Sequence, residues 1–385
     1  MFNKFFSVFS NDIGIDLGTA NILVWVKNKG IVIREPSVVA VHRKTKKVVA
    51  IGTEAKKMLG KTPASIKTIR PLRHGVISDF DATHAMISTY IQQVHEVGSM
   101  LPSFLARPKI VIGIPSAVTE VERRAVWEAA LSSGAREAHL IEEPMAAAIG
   151  AGISVFAPIG MMIVDIGGGT TEIAIISLGG IVVGRSLRIA GDEMDQAIIH
   201  YIRLRHGLLI GEATAEDLKI KIGSAYQKNL KPKTSNSKLK KETKNIEDKN
   251  NTNGEEEKVE IQEEKGEKMA VIRGRDIETG LPKGLRISEA EVREALAPAL
   301  SQIIEEIAEI LEEAPPELTS DILEHGILLT GGGANLSGLD HLIMERTKIP
   351  VIVSEDPLTT VIKGIGKILD DNSLLERVRV TGGLK

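Results

Sequence analysis

Met161-Met162-Ile163-Val164-Asp165-Ile166-Gly167-Gly168-Gly169-Thr170-Thr171-Glu172-Ile173-Ala174-Ile175-Ile176 is the stretch from which the fold can be read. Two apolar runs flank a turn rich in glycine and threonine, which is a β-hairpin pattern. Asp165 stands at the end of the first run. The same plan occurs near the start of the chain: Ile13-Gly14-Ile15-Asp16, then Leu17-Gly18-Thr19-Ala20-Asn21, then Ile22-Leu23-Val24-Trp25-Val26. The copies lie about 150 residues apart, and a duplicated α/β domain is the simplest account. Chance is the competing account, because Asp-x-Gly turns are common.

Between and beyond the copies the chain reads as strands and helices. Lys109 to Ile114 predicts a buried strand stopped by Pro115. Thr119-Glu120-Val121-Glu122 is a capping-box pattern and opens a helix to about Ser133. Glu143-Pro144 opens another, with proline at a tolerated first-turn position. Further on, the pattern predicts a long helix from about Ser288 to Glu313, a strand from Gly326 to Leu329 and a last helix from about Pro357 to Asp370. The tract 228–268 holds 11 Lys, 10 Asp or Glu and no aromatic residue. Such a segment buries too little apolar surface to offset its ordering entropy. A mostly disordered surface insertion is expected there, with a short charged helix from Glu255 to Lys268 as the competing reading and order resuming at Met269.

The length of 385 residues suits two domains of about 150–200 residues each. Hydrophobic residues make up 43% and charged residues 26%, a globular profile. A net charge of -3 makes nucleic acid a poor default partner. With no cysteine, disulfides and thiolate metal sites are excluded. The nine histidines show no metal-binding spacing. No apolar run reaches the ~18–20 residues of a spanning helix. The N-terminus is unusual: Phe2, Phe5, Phe6 and Phe9 are four of the seven phenylalanines and fall on one helical face.

The candidate chemistry lies at the turns. A third glycine turn, Thr330-Gly331-Gly332-Gly333-Ala334-Asn335, follows the strand ending at Leu329. Glycine lets backbone N–H groups approach an anion without a Cβ in the way, and Thr19, Thr170 and Thr171 add hydroxyl donors. Asp16 and Asp165, each opening a turn, suit a hydrated Mg²⁺ that takes few protein ligands. One such turn is weak; three in one chain, two with matched Asp and Thr, point to a nucleotide. A P-loop ending at Gly60-Lys61-Thr62 fails because its first glycine would be Ala55. A dinucleotide Gly-x-Gly-x-x-Gly after a strand is also absent.

These motifs resemble those of the actin, sugar kinase and heat-shock chaperone superfamily. Asp16 to Asn21 resembles its first phosphate motif in the form of the bacterial cell-shape family, MreB; Asp165 to Glu172 resembles the second and Thr330 to Ala334 the adenosine motif. Ile141-Glu142-Glu143-Pro144-Met145-Ala146-Ala147-Ala148 and the helix with Gly364 and Gly366 look like the two connecting motifs at the hinge. Arg34-Glu35-Pro36-Ser37-Val38, Arg70-Pro71-Leu72 and Ala314-Pro315-Pro316-Glu317-Leu318 are similar too. The resemblance covers nearly the whole chain except 228–268.

It implies an actin-like (ribonuclease H-like) α/β fold of duplicated domains, each with a large and a small subdomain, around a central nucleotide cleft. Domain I would be 11–144 plus 357–385, with its small subdomain at about 33–76. Domain II would be 145–356, with its small subdomain at about 190–286. By resemblance, Glu143 orients the water that attacks the terminal phosphate of ATP and Thr170 helps place it. Without the family, Glu143 could simply favour a helix N-terminus by its charge. Asp16 and Asp165 would hold Mg²⁺ through water, and Gly18, Thr19, Ala20, Asn21 and Gly167, Gly168 and Gly169 would cradle the phosphates. Glu216 and Lys219, one turn apart, would contact ribose and adenine; Gly331, Gly332, Gly333 and Ala334 would face the adenosine.

The expected function is ATP-dependent, slowly hydrolysing polymerisation into double protofilaments that organise cell-wall synthesis and keep a rod shape. Its partners would be other copies of the chain, the inner face of the cytoplasmic membrane and membrane proteins of the wall-synthesis machinery. Residues 1–10 read as an interfacial amphipathic helix, and Leu101, Phe104 and Leu105 resemble the family's membrane-inserting loop. A sugar or acetate kinase on the same fold is the alternative.

Overall fold

The computed structural model describes residues 10–96, 107–227, 259–264 and 267–380. The first hairpin is β1 (Ile13–Leu17) and β2 (Asn21–Val26), followed by β3 (Gly30–Pro36). Next come β4 (Val39–His42), β5 (Val48–Ile51), α1 (Thr53–Lys57) and β6 (Ile66–Ile69), then a small hairpin of β7 (Leu72–Arg73) and β8 (Val76–Ile77). Helix α2 (Phe80–Glu96) leads back to β9 (Lys109–Ile114). Helix α3 (Glu120–Ser132) then connects to β10 (Glu137–Glu142). The main sheet has the order β10-β9-β1-β2-β3, and β4, β5 and β6 form a small sheet of their own. β9 is buried at all six positions, as an apolar run in a covered parallel strand must be. Thr119 caps α3 with a full capping box, as the sequence predicts.

Helix α4 (Glu143–Gly150) crosses to the second half, where β11 (Met161–Ile166), β12 (Thr171–Ser177) and β13 (Gly180–Leu187) repeat the opening meander. Helix α5 (Gly191–His206), β14 (Leu208–Leu209) and α6 (Glu212–Ile222) follow. Then come β15 (Glu260–Glu264), β16 (Glu267–Asp276), β17 (Pro282–Ser288) and α7 (Glu289–Glu313), which Ser288 caps with a second capping box. Helix α8 (Pro316–His325), β18 (Ile327–Thr330), α9 (Leu339–Thr347) and β19 (Val351–Val353) complete the half. This sheet has the order β13-β12-β11-β18-β19. Strand for strand it repeats the first sheet, and β14 to β17 form a second small sheet inserted at the same topological point. The duplication is therefore present in topology.

Helix α10 (Thr360–Asp370) returns to the first half and packs on α4. A Cβ on Gly364 would overlap the Ala146 carbonyl oxygen, and one on Gly150 the Thr360 carbonyl. The two helix backbones thus touch. Their apolar faces share one core with Leu23 and Val111 of the first sheet and Ile163 and Leu328 of the second.

Three expectations change. Residues 260–264, inside the expected insertion, form β15 and pair with β16, from Glu260 opposite Val271 to Glu264 opposite Glu267. A partner strand satisfies their backbone, which composition cannot reveal; residues 228–258 lie outside the described residues. The last helix starts at Thr360 after a 3₁₀ turn at Pro357–Thr359. A further helix, α11 (Asn372–Val378), follows because the Asp371 side chain caps Ser373 and Leu374. Phe2, Phe5, Phe6, Phe9, Leu101, Phe104 and Leu105 fall outside the described residues. Among the described residues no helix is long and apolar enough to cross a membrane.

Candidate functional site

The glycine turns of the two hairpins face each other. A Cβ on Gly168 would lie 2.5 Å from the Ala20 Cβ, and one on Gly169 would lie 2.6 Å from the Thr19 hydroxyl. Side chains here would drive the loops apart, so glycine is required by close approach. The third turn closes on the second: a Cβ on Gly331 would strike Asp165 and the Ile166 carbonyl. Parallel pairing sets Asp165 beside Thr330, and the matching pairing sets Asp16 beside Gly113. Gly332, Gly333 and Ala334 continue from Gly331 as a 3₁₀ turn.

Hydrogen bonds fix the loops. The Ser37 hydroxyl donates to the Gly18 carbonyl (2.6 Å), the Gly167 N–H to the Thr170 carbonyl (2.9 Å) and the Asp192 N–H to the Gly168 carbonyl (2.7 Å). The tip of the β7–β8 hairpin reaches in as well: the Gly75 N–H donates to the Thr19 hydroxyl at 3.1 Å. A Cβ on Gly75 would press on the Thr170 methyl.

Four carboxyl groups converge on this point. Glu143 is the first residue of α4; Asp16 and Asp165 stand near the ends of β1 and β11; Glu172 comes from β12. Asp165 is 6% exposed and Glu172 only 1%. Burial, with the charge of Asp16 and Glu172 added, pushes Asp165 up to about 8. Burial pushes Asp16 up to about 7. Glu143 is held well above the usual carboxylate range by burial and then by repulsion from Glu172, Asp16 and Asp165. Glu172 is also raised by burial, partly opposed by hydrogen bonds from the Ser186 hydroxyl and the Ser116 N–H. Acids packed this closely favour a bound cation, because neighbouring positive charge relieves both desolvation and mutual repulsion. Among the described residues no group of three or more His, Asp or Glu has the arrangement of direct metal ligands. The donor set of Asp16 and Asp165 fits a cation that keeps most of its water.

Glu216 and Lys219 both lie on α6. Each is partnered by protein: Glu216 pairs with Lys56 at 2.8 Å, and Lys219 pairs with Asp195 at 2.9 Å while donating to the Gly191 carbonyl at 2.7 Å. Through Gly191, Lys219 touches the helix start that carries the Gly168 hydrogen bond. Asn21 opens β2 opposite Pro36 and is exposed. The structure thus gathers Asp16, Gly18, Thr19, Ala20, Glu143, Asp165, Gly167 to Thr170 and Gly331 in one place. Sequence reasoning missed Glu172, Gly75, Asp195 and the Lys56 partner of Glu216. A signal existed for Glu172: it is a charge in a run, Thr171–Ser177, that is otherwise apolar enough to be fully buried. Gly75 and Lys56 arrive by tertiary approach and carry no local signal.

The sequence profile described as MreB/Mbl protein matches residues 10–240 and 238–377. The chain is 48% identical to cell shape-determining protein MreB of Escherichia coli strain K12 over 374 residues, covering 96% of each. It is 42% identical to cell shape-determining protein Mbl of Bacillus subtilis strain 168, covering 97% of this chain and 100% of that one. Among solved structures, the crystal structure of MreB5 of Spiroplasma citri bound to ADP matches with a TM-score of 0.80 at 35% identity, over 96% of this chain and 98% of that one. Matched by profile, by sequence and by structure along nearly all of its length, the chain is a member of the MreB/Mbl family and has its actin-like fold.

Proposed function

We propose that the chain binds ATP with Mg²⁺ between its facing glycine turns, hydrolyses it slowly and assembles into filaments that maintain cell shape. The observation that carries this reading is the meeting of two Asp-Gly-Thr turns from duplicated sheets around a cluster of closely packed acids. A structure of a 35% identical relative, MreB5, holds ADP. Family membership sets aside the small-molecule kinase alternative, since the relatives are named as cell shape-determining proteins.

The facing turns and the acid cluster support a role for each residue. Backbone N–H groups of the Gly18–Asn21 and Gly167–Thr170 turns are suited to hold phosphate oxygens. Asp16 and Asp165 would hold Mg²⁺ through its water, and the ion would supply charge neutralisation on the phosphates. Glu143 would orient the attacking water and accept its proton on a carboxylate oxygen. The Thr170 hydroxyl orients that water. Glu216 and Lys219 serve the ribose and adenine, with Gly331 to Ala334 facing the adenosine.

The filaments would lie at the inner face of the cytoplasmic membrane as double protofilaments and organise the membrane proteins of wall synthesis. Both apolar segments join the described structure at one place: the Arg107 N–H, just after 101–105, donates to the hydroxyl of Ser10, just after Phe9, at 2.9 Å. The Asn11 N–H donates to His95 Nε2 at 3.2 Å. One copy binds a membrane weakly, and a filament multiplies it. Electron microscopy with Mg-ATP, with and without anionic liposomes, tests the proposal. Filaments lying on liposomes are expected, and deletion of residues 2–9 should release them. Monomers under all conditions would overturn it.

A further inference from the structure

Arg70 belongs to a stretch that the nucleotide site does not use. It follows β6 in the first half, yet its guanidinium reaches the second half. There it lies 3.6 Å from Asp192 of α5 and 3.4 Å from Glu212 of α6. Lys56 of α1 makes a parallel crossing to Glu216 of α6 at 2.8 Å. These pairs join the region of the first small sheet to the two helices that follow β13.

Both ends of the Arg70 contact lead to the glycine turns. On the far side, the N–H of Asp192 donates to the Gly168 carbonyl at 2.7 Å, and that of Gly191 to the Gly167 carbonyl at 3.2 Å. On the near side, the Arg70 carbonyl accepts from the Ser78 hydroxyl at 2.9 Å, and the Pro71 carbonyl from the Ser78 N–H at 2.8 Å. These bonds clamp the base of the β7–β8 hairpin whose tip, Gly75, touches Thr19 and Thr170. One side chain therefore braces a loop on each side of the cleft. Its fork can meet two carboxylates at once, which a lysine ammonium cannot match in geometry. The Arg70 side chain is 24% exposed and Asp192 32%, so water screens the pair only in part.

We propose that Arg70 is a positioning residue that latches the two halves across the cleft, holding the Gly75 tip on Thr19 and Thr170 and slowing nucleotide release. The proposal rests on the nucleotide reading above. Its test is the release rate of a fluorescent N-methylanthraniloyl ADP with Mg²⁺ from the full chain, measured by stopped flow. Arg70→Ala should release it about fivefold faster, as expected for one part-buried and one exposed ion pair. Arg70→Lys should fall between, and Glu212→Gln should accelerate release by about twofold. The effect of Arg70→Ala should shrink in the Glu212→Gln background, because the residues act through one contact. Raising salt should speed release from the parent more than from Arg70→Ala.

Equal release from parent and Arg70→Ala, or effects that simply add, would overturn the latch. If Arg70→Ala does not fold, the more exposed Glu212→Gln decides: release unchanged from the parent rejects the proposal. A parent that binds no labelled ADP would instead overturn the nucleotide reading, and the latch with it.

Discussion

Glu143 stands half-buried at the start of α4 against three other acids, which makes its charge costly to the empty fold. Its replacement should separate stability from chemistry. Glu143→Ala and Glu143→Gln are both expected to keep ATP binding and to lower phosphate release by about 10²-fold or more, the range for a lost general base. Glu143→Gln should also lessen the fall in melting temperature of the nucleotide-free protein as pH rises, since an amide cannot ionise among the other acids. Equal hydrolysis in variant and parent would sink the assignment. The same cluster sets a pH dependence. Asp16 and Asp165 rise from 3.8 to about 7 and about 8, so the fold holds protons that the unfolded chain has lost above pH 4. Unfolding then releases protons, and the stability contributed falls as pH rises from about 4 to 8. Without Mg²⁺ or nucleotide, the melting temperature should drop by several degrees between pH 6 and 8.5. Mg-ATP should flatten that slope. A metal-free melting temperature that climbs over the same window would contradict the raised values.

Helices α4 and α10 touch backbone to backbone, and that contact is where an element-level substitution should be felt most. Gly364→Ala would drive a methyl into the Ala146 carbonyl, in a place where neither helix has a side chain to move aside. Overpacking of this kind costs about 1–3 kcal/mol, and the backbone clash places Gly364→Ala at the upper end. A urea midpoint equal to that of the parent would show that the helices can separate freely. At this scale the sequence is informative where the determinants are local. The Thr119-x-x-Glu122 and Ser288-x-x-Glu291 boxes name their own helix starts, and both form as predicted. It fails for β15, whose charged composition argues against order while a neighbouring strand supplies the hydrogen bonds.

For the whole molecule, the repeated strand order is the organising fact: two meanders, each extended by two parallel strands and interrupted by a small sheet. Residues 228–258, before β15, lie outside the described residues. Replacing residues 229–257 with a short Gly-Ser linker should leave the melting temperature within about 3 °C, because so charged a composition has little apolar surface to bury. Scanning calorimetry checks this, and a large loss would mean that the tract packs on the fold. The sequence by itself determined the duplication, the hairpins with Asp16 and Asp165 at their ends and the glycine turns, since alternation, turn chemistry and caps act over a few neighbouring residues. Tertiary structure alone decided that Gly168 would rest on Ala20 and Gly75 on Thr19, that Glu172 would join the buried acids and that Arg70 would cross to Asp192. Those contacts link residues far apart in the chain, and their energies exist only once sheets and helices have packed into place.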